Sequence, residues 1–368
     1  MPTVKVCLSA SKKRIRLMSR FMNPDYRNLS PYVPGDQPQR EGWIKLNTNE
    51  SPYPPAQGVL DIQADHMNLY PDPESRSLVQ ALAENYNLEE DQIIVGNGSD
   101  ELLAFAFMAF QNTDRSFAFP DLTYGFYPVY SQLFGVKAKT IPLAQDWTIN
   151  YLDYIDVGST IVIPNPNAPT GLALSIREIE KIVKGNKNNV VIIDEAYIDF
   201  GGVSAISLID EYQNLLVVQT FSKSRSLAGA RIGFAMGNCQ LIEDLKAIKY
   251  SFNPYNLNSW SEAAALAALK DEKYFVECCN KTIEIRESTS QNLKTLGFEI
   301  LDSRANFIFA KPPALSGEEY YQKLREEKIL VRHFAGKRTK DFVRISIGDE
   351  KEMESLLKAT KKILENQR

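Results

Sequence analysis

The chain predicts an α/β fold, with a mostly parallel central sheet in a large domain and a smaller α+β domain after it. Three observations lead there. Short, nearly all-apolar runs such as Thr160–Pro164 and Val190–Ile193 lack polar alternation, as strands covered on both faces do. Helix signatures alternate with such runs from about Lys45 to Gly237. Finally, 368 residues exceed the roughly 100–200 of a usual single core, so two domains sharing a cleft are expected.

In chain order, the first element is a basic stretch. Lys5, Lys12, Lys13, Arg14, Arg16 and Arg20 put six cations and no acid into the first twenty residues. No apolar stretch long enough for a secretory core follows, so this is not a signal peptide. A basic arm, a transit-type or nucleic-acid-binding segment, or a start codon upstream of Met18 or Met22 all fit; a disordered or non-native extension is the favoured reading.

Gln92–Val95 reads as a strand that enters the turn Gly96-Asn97-Gly98, and Leu103, Ala106, Phe107 and Phe110 follow at helical spacing. A glycine turn into a helix start offers free backbone N–H groups to a phosphate, with Ser99 as the expected cap. Neither the dinucleotide fingerprint nor the Walker lysine is present. Asp100 and Glu101 would repel a phosphate they faced, so only backbone and Ser99 are expected to touch it, with Arg231 as countercharge.

Thr160–Pro164 is a buried strand that runs into Asn165-Pro166-Asn167-Ala168-Pro169-Thr170-Gly171, a turn too proline-dense to continue strand or helix. Ser175 and Glu178 form a capping box ahead of Ile176, Ile179 and Val183, so a helix starts there.

The next apolar strand ends at Asp194 and Glu195, and ligands of open α/β sheets sit at such carboxyl ends. Asp194 is either an ordinary helix cap or the partner of a protonated pyridine nitrogen, a pair worth roughly 4 kcal/mol at 4 Å and an effective dielectric near 20. Tyr197 can set its phenol beside the same ring's 3′ oxygen.

After the strand Leu215–Val218 comes Ser222-Lys223, and Arg231 follows the lysine by eight residues, ahead of the strand Ile232–Ala235. Most lysines are solvated surface charges. One just past a buried strand, with a fixed arginine downstream, has the layout of an anchor that forms a Schiff base with an aldehyde cofactor while the arginine meets its phosphate.

Ser259 and Glu262 then suggest a capping box before an alanine-rich helix, taken as the start of the small domain. Farther on, Phe342–Ile347 alternates and sets Arg344 on the face opposite Val343, Ile345 and Ile347.

Composition excludes other classes. A net charge of −4 argues against a nucleic-acid binder with a pervasive basic surface, and no run of about 18 apolar residues exists to span a membrane. Cys7, Cys239, Cys278 and Cys279 lack metal-ligand spacing and read as reduced thiols, implying a cytoplasmic protein without a metal.

The Asp194, Tyr197, Ser222-Lys223 and Arg231 set, with the turns at Gly98 and Asn167, resembles the fold-type I pyridoxal-phosphate-dependent aminotransferases. Leu29–Gly35, Ile44–Tyr53, Tyr70-Pro71-Asp72 and Ser251–Asn256 narrow the resemblance to the histidinol-phosphate aminotransferase branch. It runs from about Leu29 to the C-terminus. It implies pyridoxal 5′-phosphate as cofactor, with Lys223 as the Schiff-base lysine, Asp194 as the pyridinium partner and Tyr197 at the 3′ oxygen. It further implies a phosphate cup of Gly98, Ser99, Asp100 (through its backbone), Ser222 and Arg231, and Tyr124 stacked on the ring. Tyr53 would reach the cofactor phosphate of a neighbouring subunit in a homodimer. Tyr32, Arg332 and Arg344 would hold the substrate's anionic group, and neither His66 nor His333 is needed.

The resemblance divides the chain into an extension (1–28), an arm packed on the small domain and cleft (29–44), a large cofactor domain (45–250) and a small domain (251–368). One position departs from it. The family asparagine before Pro-Thr-Gly is here Ala168, so either Asn167 replaces it through a shifted backbone, the favoured reading, or Tyr197 works alone. The implied substrates are histidinol phosphate and 2-oxoglutarate. Aromatic aminotransferase and threonine-phosphate decarboxylase activities are the alternatives on this scaffold. A transcriptional regulator would need a DNA-binding domain ahead of Pro31, where only about thirty residues stand.

Overall fold

The computed structural model describes residues 21–38, 42–63, 68–111 and 116–366; Cys7, His66 and the cations of the first twenty residues lie outside them. Its centre is a seven-stranded sheet in the order Ile93–Gly96, Gly233–Gly237, Leu215–Thr220, Val191–Asp194, Thr160–Pro164, Ser116–Pro120, Lys137–Ile141. All neighbours pair parallel except Gly233–Gly237, which runs antiparallel to both of its neighbours.

The unbroken apolar runs have a simple cause. Ile161, Ile163, Val191, Ile193, Leu215 and Val217 bury on one face of the sheet, while Val162, Ile192, Leu216 and Val218 bury on the other. Each such side chain contributes about 1.5–3 kcal/mol when removed from water. Helix Ile176–Lys184 covers the first face and starts at the expected Ser175–Glu178 capping box. Helix Ser99–Ala109 covers the second.

A four-stranded antiparallel sheet, in the order Arg332–His333, Val343–Ser346, Phe307–Lys311, Glu299–Ile300, has its own core. Ile308, Val343, Ile345 and Leu356 lie in that core, with Leu46 from the far end of the chain. Ile44–Lys45 reaches it by pairing parallel with Ile329–Leu330.

Local readings are corrected at two helix starts. Helix Ser259–Lys270 is capped by Asn258, whose side chain accepts from Ser261 N, rather than by Ser259. It also packs Ala264, Ala265 and Ala268 into the core of the large sheet, beside Leu78 and Leu82, instead of opening the small one. Likewise Ser99 is the first helical residue and not the cap; Gly98 holds the cap position with no side chain to offer.

Candidate active site

The strand ends bring the sequence-predicted residues to one edge. Gly96, Pro120, Pro164, Asp194 and Thr220 end their strands there, and the antiparallel Gly233–Gly237 begins there, just after Arg231. A cavity at that edge is lined by Ser99, Asp100, Tyr124, Asp194, Tyr197, Ser222, Lys223 and Arg231, with Ala168 in its wall.

Lys223 Nζ donates to Thr48 O at 3.2 Å and lies 5.8 Å from the Tyr197 ring centre. Desolvation first, then the nearby Arg344 charge, lowers its pKa to about 8. Asp194 is buried, and its two hydrogen-bond donors, Tyr127 Oη at 2.7 Å and Ala196 N at 3.3 Å, are both neutral. Desolvation therefore raises its carboxyl to about 6. A carboxylate held this way favours a cation set against it. Tyr127 was not singled out in the sequence. It lies three residues after Tyr124 on helix Phe126–Leu133, and no local pattern distinguishes it from a core tyrosine.

The turn at Gly98 packs closely on Arg231. Gly98 sits at φ +80°, and a Cβ there would stand 2.5 Å from Arg231 Nη2. Arg231 itself has φ +56°, a left-handed conformation that a non-glycine residue holds only when its surroundings enforce it. Its guanidinium donates to Ser222 Oγ at 3.3 Å and to Asp100 Oδ2 at 3.0 Å. The Asp100 carboxylate thus takes part through its side chain as well, accepting also from Tyr124 Oη at 2.7 Å. Glu101 turns aside to Asn97 N and Asn256 Nδ2.

The Asn167 expectation is corrected. Its Nδ2 donates to Leu122 O at 3.1 Å and Thr170 Oγ1 at 3.2 Å, leaving Oδ1, which can only accept. Asn167 lines a separate cavity with Trp147 and Tyr151, while the Ala168 methyl faces the site. An ionised 3′ oxygen would receive no side-chain donor from either residue. Tyr197 remains, and its hydroxyl accepts from Asn49 Nδ2 at 3.0 Å.

A larger cavity of about 530 Å³ adjoins the first through Tyr124, Ala168, Tyr197 and Lys223. It brings together Tyr32, Arg332 and Arg344 as expected. Arg332 and Arg344 are directly cross-strand, with the Phe334 ring 5.8 and 5.7 Å from their guanidinium carbons. Arg344 Nη2 donates to Asn47 O, whereas its buried Nε has no hydrogen-bond partner among the described residues. Arg332 holds Val33 O and Pro34 O, and Tyr32 stacks on Phe126 at 4.4 Å, so the 29–38 segment walls the cleft. Phe334 and Asn47 are further lining residues that sequence reasoning missed. Tyr53 stands outside both cavities of its own chain, and His333 bonds Lys340 O away from the chemistry.

Comparison with known proteins agrees with this geometry. Residues 41–359 match the family Aminotransferase class I and II. The histidinol-phosphate aminotransferase of Brachyspira hyodysenteriae is 48% identical over 354 residues, covering 95% of this chain and 100% of the relative. That of Acinetobacter baumannii (strain AB307-0294) is 49% identical over 349 residues, covering 93% and 97%. Among solved structures, histidinol-phosphate aminotransferase from Sinorhizobium meliloti, in complex with pyridoxal-5′-phosphate, superposes with a TM-score of 0.85 at 22% identity, over 96% of this chain and 100% of that one. Other activities share the fold: L-threonine-O-3-phosphate decarboxylase from Porphyromonas gingivalis gives a TM-score of 0.73 at 20% identity, covering 87% and 99%. Sequence identity near one half over almost the full length therefore decides what the fold alone does not: the chain belongs to the class I and II aminotransferases and, within them, to the histidinol-phosphate aminotransferase family.

Proposed function

We propose that the protein is a pyridoxal 5′-phosphate-dependent aminotransferase that interconverts L-histidinol phosphate and 2-oxoglutarate with imidazole-acetol phosphate and L-glutamate, a step of histidine biosynthesis. The observation that carries the reading is the convergence of Lys223 and Asp194 at one strand edge, facing Arg332 and Arg344 across a continuous cleft. A cytoplasmic homodimer is part of the same proposal. It is supported by family membership and by thiols without disulfide partners at Cys239, Cys278 and Cys279.

The residues fit the cofactor. The buried Asp194 carboxylate, held by neutral donors, suits a ring N–H⁺; the Gly98 cradle with Arg231 and Ser222 suits a phosphate; Tyr124 supplies a flat wall. When bound, pyridoxal 5′-phosphate supplies an electron sink for the bond that breaks at the substrate's Cα.

The chain's own groups do the rest. Lys223, as a neutral amine, is the base for the Cα proton, and its lowered pKa keeps that form accessible near neutral pH. Arg344 lines the cleft, and charge-assisted bonds from a guanidinium orient a phosphate or a carboxylate equally well. Arg332 adds a second cation for the dianionic phosphate. Tyr32 and the segment around it narrow access of water to the cleft.

An amino-donor panel with 2-oxoglutarate tests the proposal. Histidinol phosphate is expected to be the best donor, with kcat/KM at least tenfold above histidinol and phenylalanine. If histidinol without its phosphate reacts equally well, or phenylalanine outcompetes both, the substrate assignment fails while the aminotransferase assignment stands. Release of carbon dioxide from phosphothreonine would favour the decarboxylase alternative. Borohydride reduction followed by peptide mapping is expected to fix the cofactor on Lys223, and attachment at another lysine would overturn the anchor.

A further inference from the structure

We propose that Asn49 is a positioning residue that turns the Tyr197 hydroxyl proton toward the 3′ oxygen of the bound cofactor, supplying through Tyr197 what Ala168 does not. The inference rests on the cofactor reading of the pocket.

Each bond in the network has a defined donor. The backbone N–H of Asn49 can only donate, and it meets Ser346 Oγ at 2.8 Å. That hydroxyl accepts there, and it gives its own proton to Asn49 Oδ1 at 2.9 Å. The oxygen end of the amide is thereby fixed, and the NH₂ end must be the one 3.0 Å from Tyr197 Oη. Tyr197 consequently accepts from Asn49. Its single hydroxyl proton is free to donate elsewhere, and Tyr197 lines the pocket beside Lys223 and Ala168.

Asn49 is held for this task on every side. It is buried at 1% exposure, Asn306 Nδ2 donates to its carbonyl at 3.0 Å, and its φ of +56° lies where asparagine is among the few tolerated side chains. Ser346 ends the strand that carries Arg344, so the substrate-side strand sets the polarity of a cofactor-side phenol. Burial also keeps Tyr197 protonated, because it raises the phenol above its ordinary value despite Arg344 nearby.

The test reads the bound cofactor's visible absorbance against pH in the holoenzyme. A donor on the 3′ oxygen weakens that oxygen's hold on the proton it shares with the Lys223 nitrogen, so the proton leaves at lower pH. Asn49→Gly removes the amide without adding charge and tolerates the left-handed backbone. It is expected to raise the titration midpoint by about one pH unit, a tenfold change in proton affinity. Tyr197→Phe should raise the midpoint as well. Adding Asn49→Gly to Tyr197→Phe should then change nothing further, because both act through one hydroxyl. Should Asn49→Gly fail to fold, Ser346→Ala, which frees the amide to turn over, is expected to give the same rise and the same lack of effect in the Phe background. An unchanged midpoint in the single variant, or an undiminished rise in the double variant, overturns the proposal. Absence of any pH-dependent absorbance from a Lys223-linked cofactor would instead overturn the cofactor reading.

Discussion

Asp194 and Lys223 are both displaced from their ordinary protonation, in opposite directions and for the same reason, and each displacement has a sign that can be measured. The Asp194 pKa is raised to about 6, so its contribution to stability is present below its ordinary value near 3.8 and is lost as pH rises through about 6. In cofactor-stripped protein, Asp194→Asn is therefore expected to raise Tm by a few degrees at pH 8, with the difference vanishing toward pH 4. The upper bound is about 3 kcal/mol. The same substitution should slow the half-reaction by several orders of magnitude if the pyridinium pair is worth about 4 kcal/mol; a loss under tenfold contradicts the role. Lys223 is lowered to about 8, so the amine that captures an aldehyde becomes dominant above that pH rather than near 10.5. The rate of pyridoxal 5′-phosphate uptake by stripped protein should rise with a midpoint near 8. At the other end of the cleft, Arg344→Lys loses the paired guanidinium geometry and should weaken histidinol phosphate and glutamate together, by about 1.5–3 kcal/mol each in kcat/KM. Arg332→Ala should weaken the phosphate substrate more than glutamate.

Strands and turns meet so closely at the site that two glycines control it. A Cβ on Gly233 would lie 2.2 Å from Ser99 N, backbone against backbone, so Gly233→Ala is expected to cost several kcal/mol in denaturant unfolding. Gly98→Ala would press on the movable Arg231 guanidinium at a positive φ, and its expected signature is cofactor affinity weakened at least tenfold with milder loss of stability. These elements were legible in the sequence because their causes are local. Two-sided burial makes the runs from Val191 to Ile193 and from Leu215 to Val218 uniformly apolar, and the Ser175–Glu178 box is written in four residues. What the sequence hid depends on packing between distant segments. Tyr127 reaches Asp194 from 67 residues away, and Asn49 meets Ser346 across 297. The alanine-rich helix carries no mark of which core it will join. Asn167 looked like a substitute for the missing asparagine because spacing cannot reveal that its amide is committed to Leu122 and Thr170.

Across the whole molecule, Tyr53 lines neither cavity of its own chain, and its proposed role is in the site of a neighbouring subunit. In the proposed homodimer, mixing Tyr53→Phe chains with Lys223→Ala chains should restore activity above the sum of the two parents, because one kind of heterodimer site is intact; an active monomer in sedimentation would refute the arrangement. The pairing of Ile44–Lys45 with Ile329–Leu330 has a consequence in time. Every strand of the seven-stranded sheet is complete by Gly237, whereas Leu46, Asn49 and the Tyr32 segment also bond to Leu330, Ser346 and Arg332. Those partners are made roughly a hundred residues later, about 5–20 s at ordinary rates of synthesis. During that interval a nascent chain has the strands that carry Lys223 and Asp194, while its front is held by Tyr32 on Phe126, Ser30 N on Gln132 and Lys223 on Thr48 O without the later strand pairing. Chains cut short before Leu330 should keep protease-resistant strands around Val191–Asp194 while the peptide bonds near Tyr32 stay cleavable, so the enzyme acquires its cup first and its doorway last.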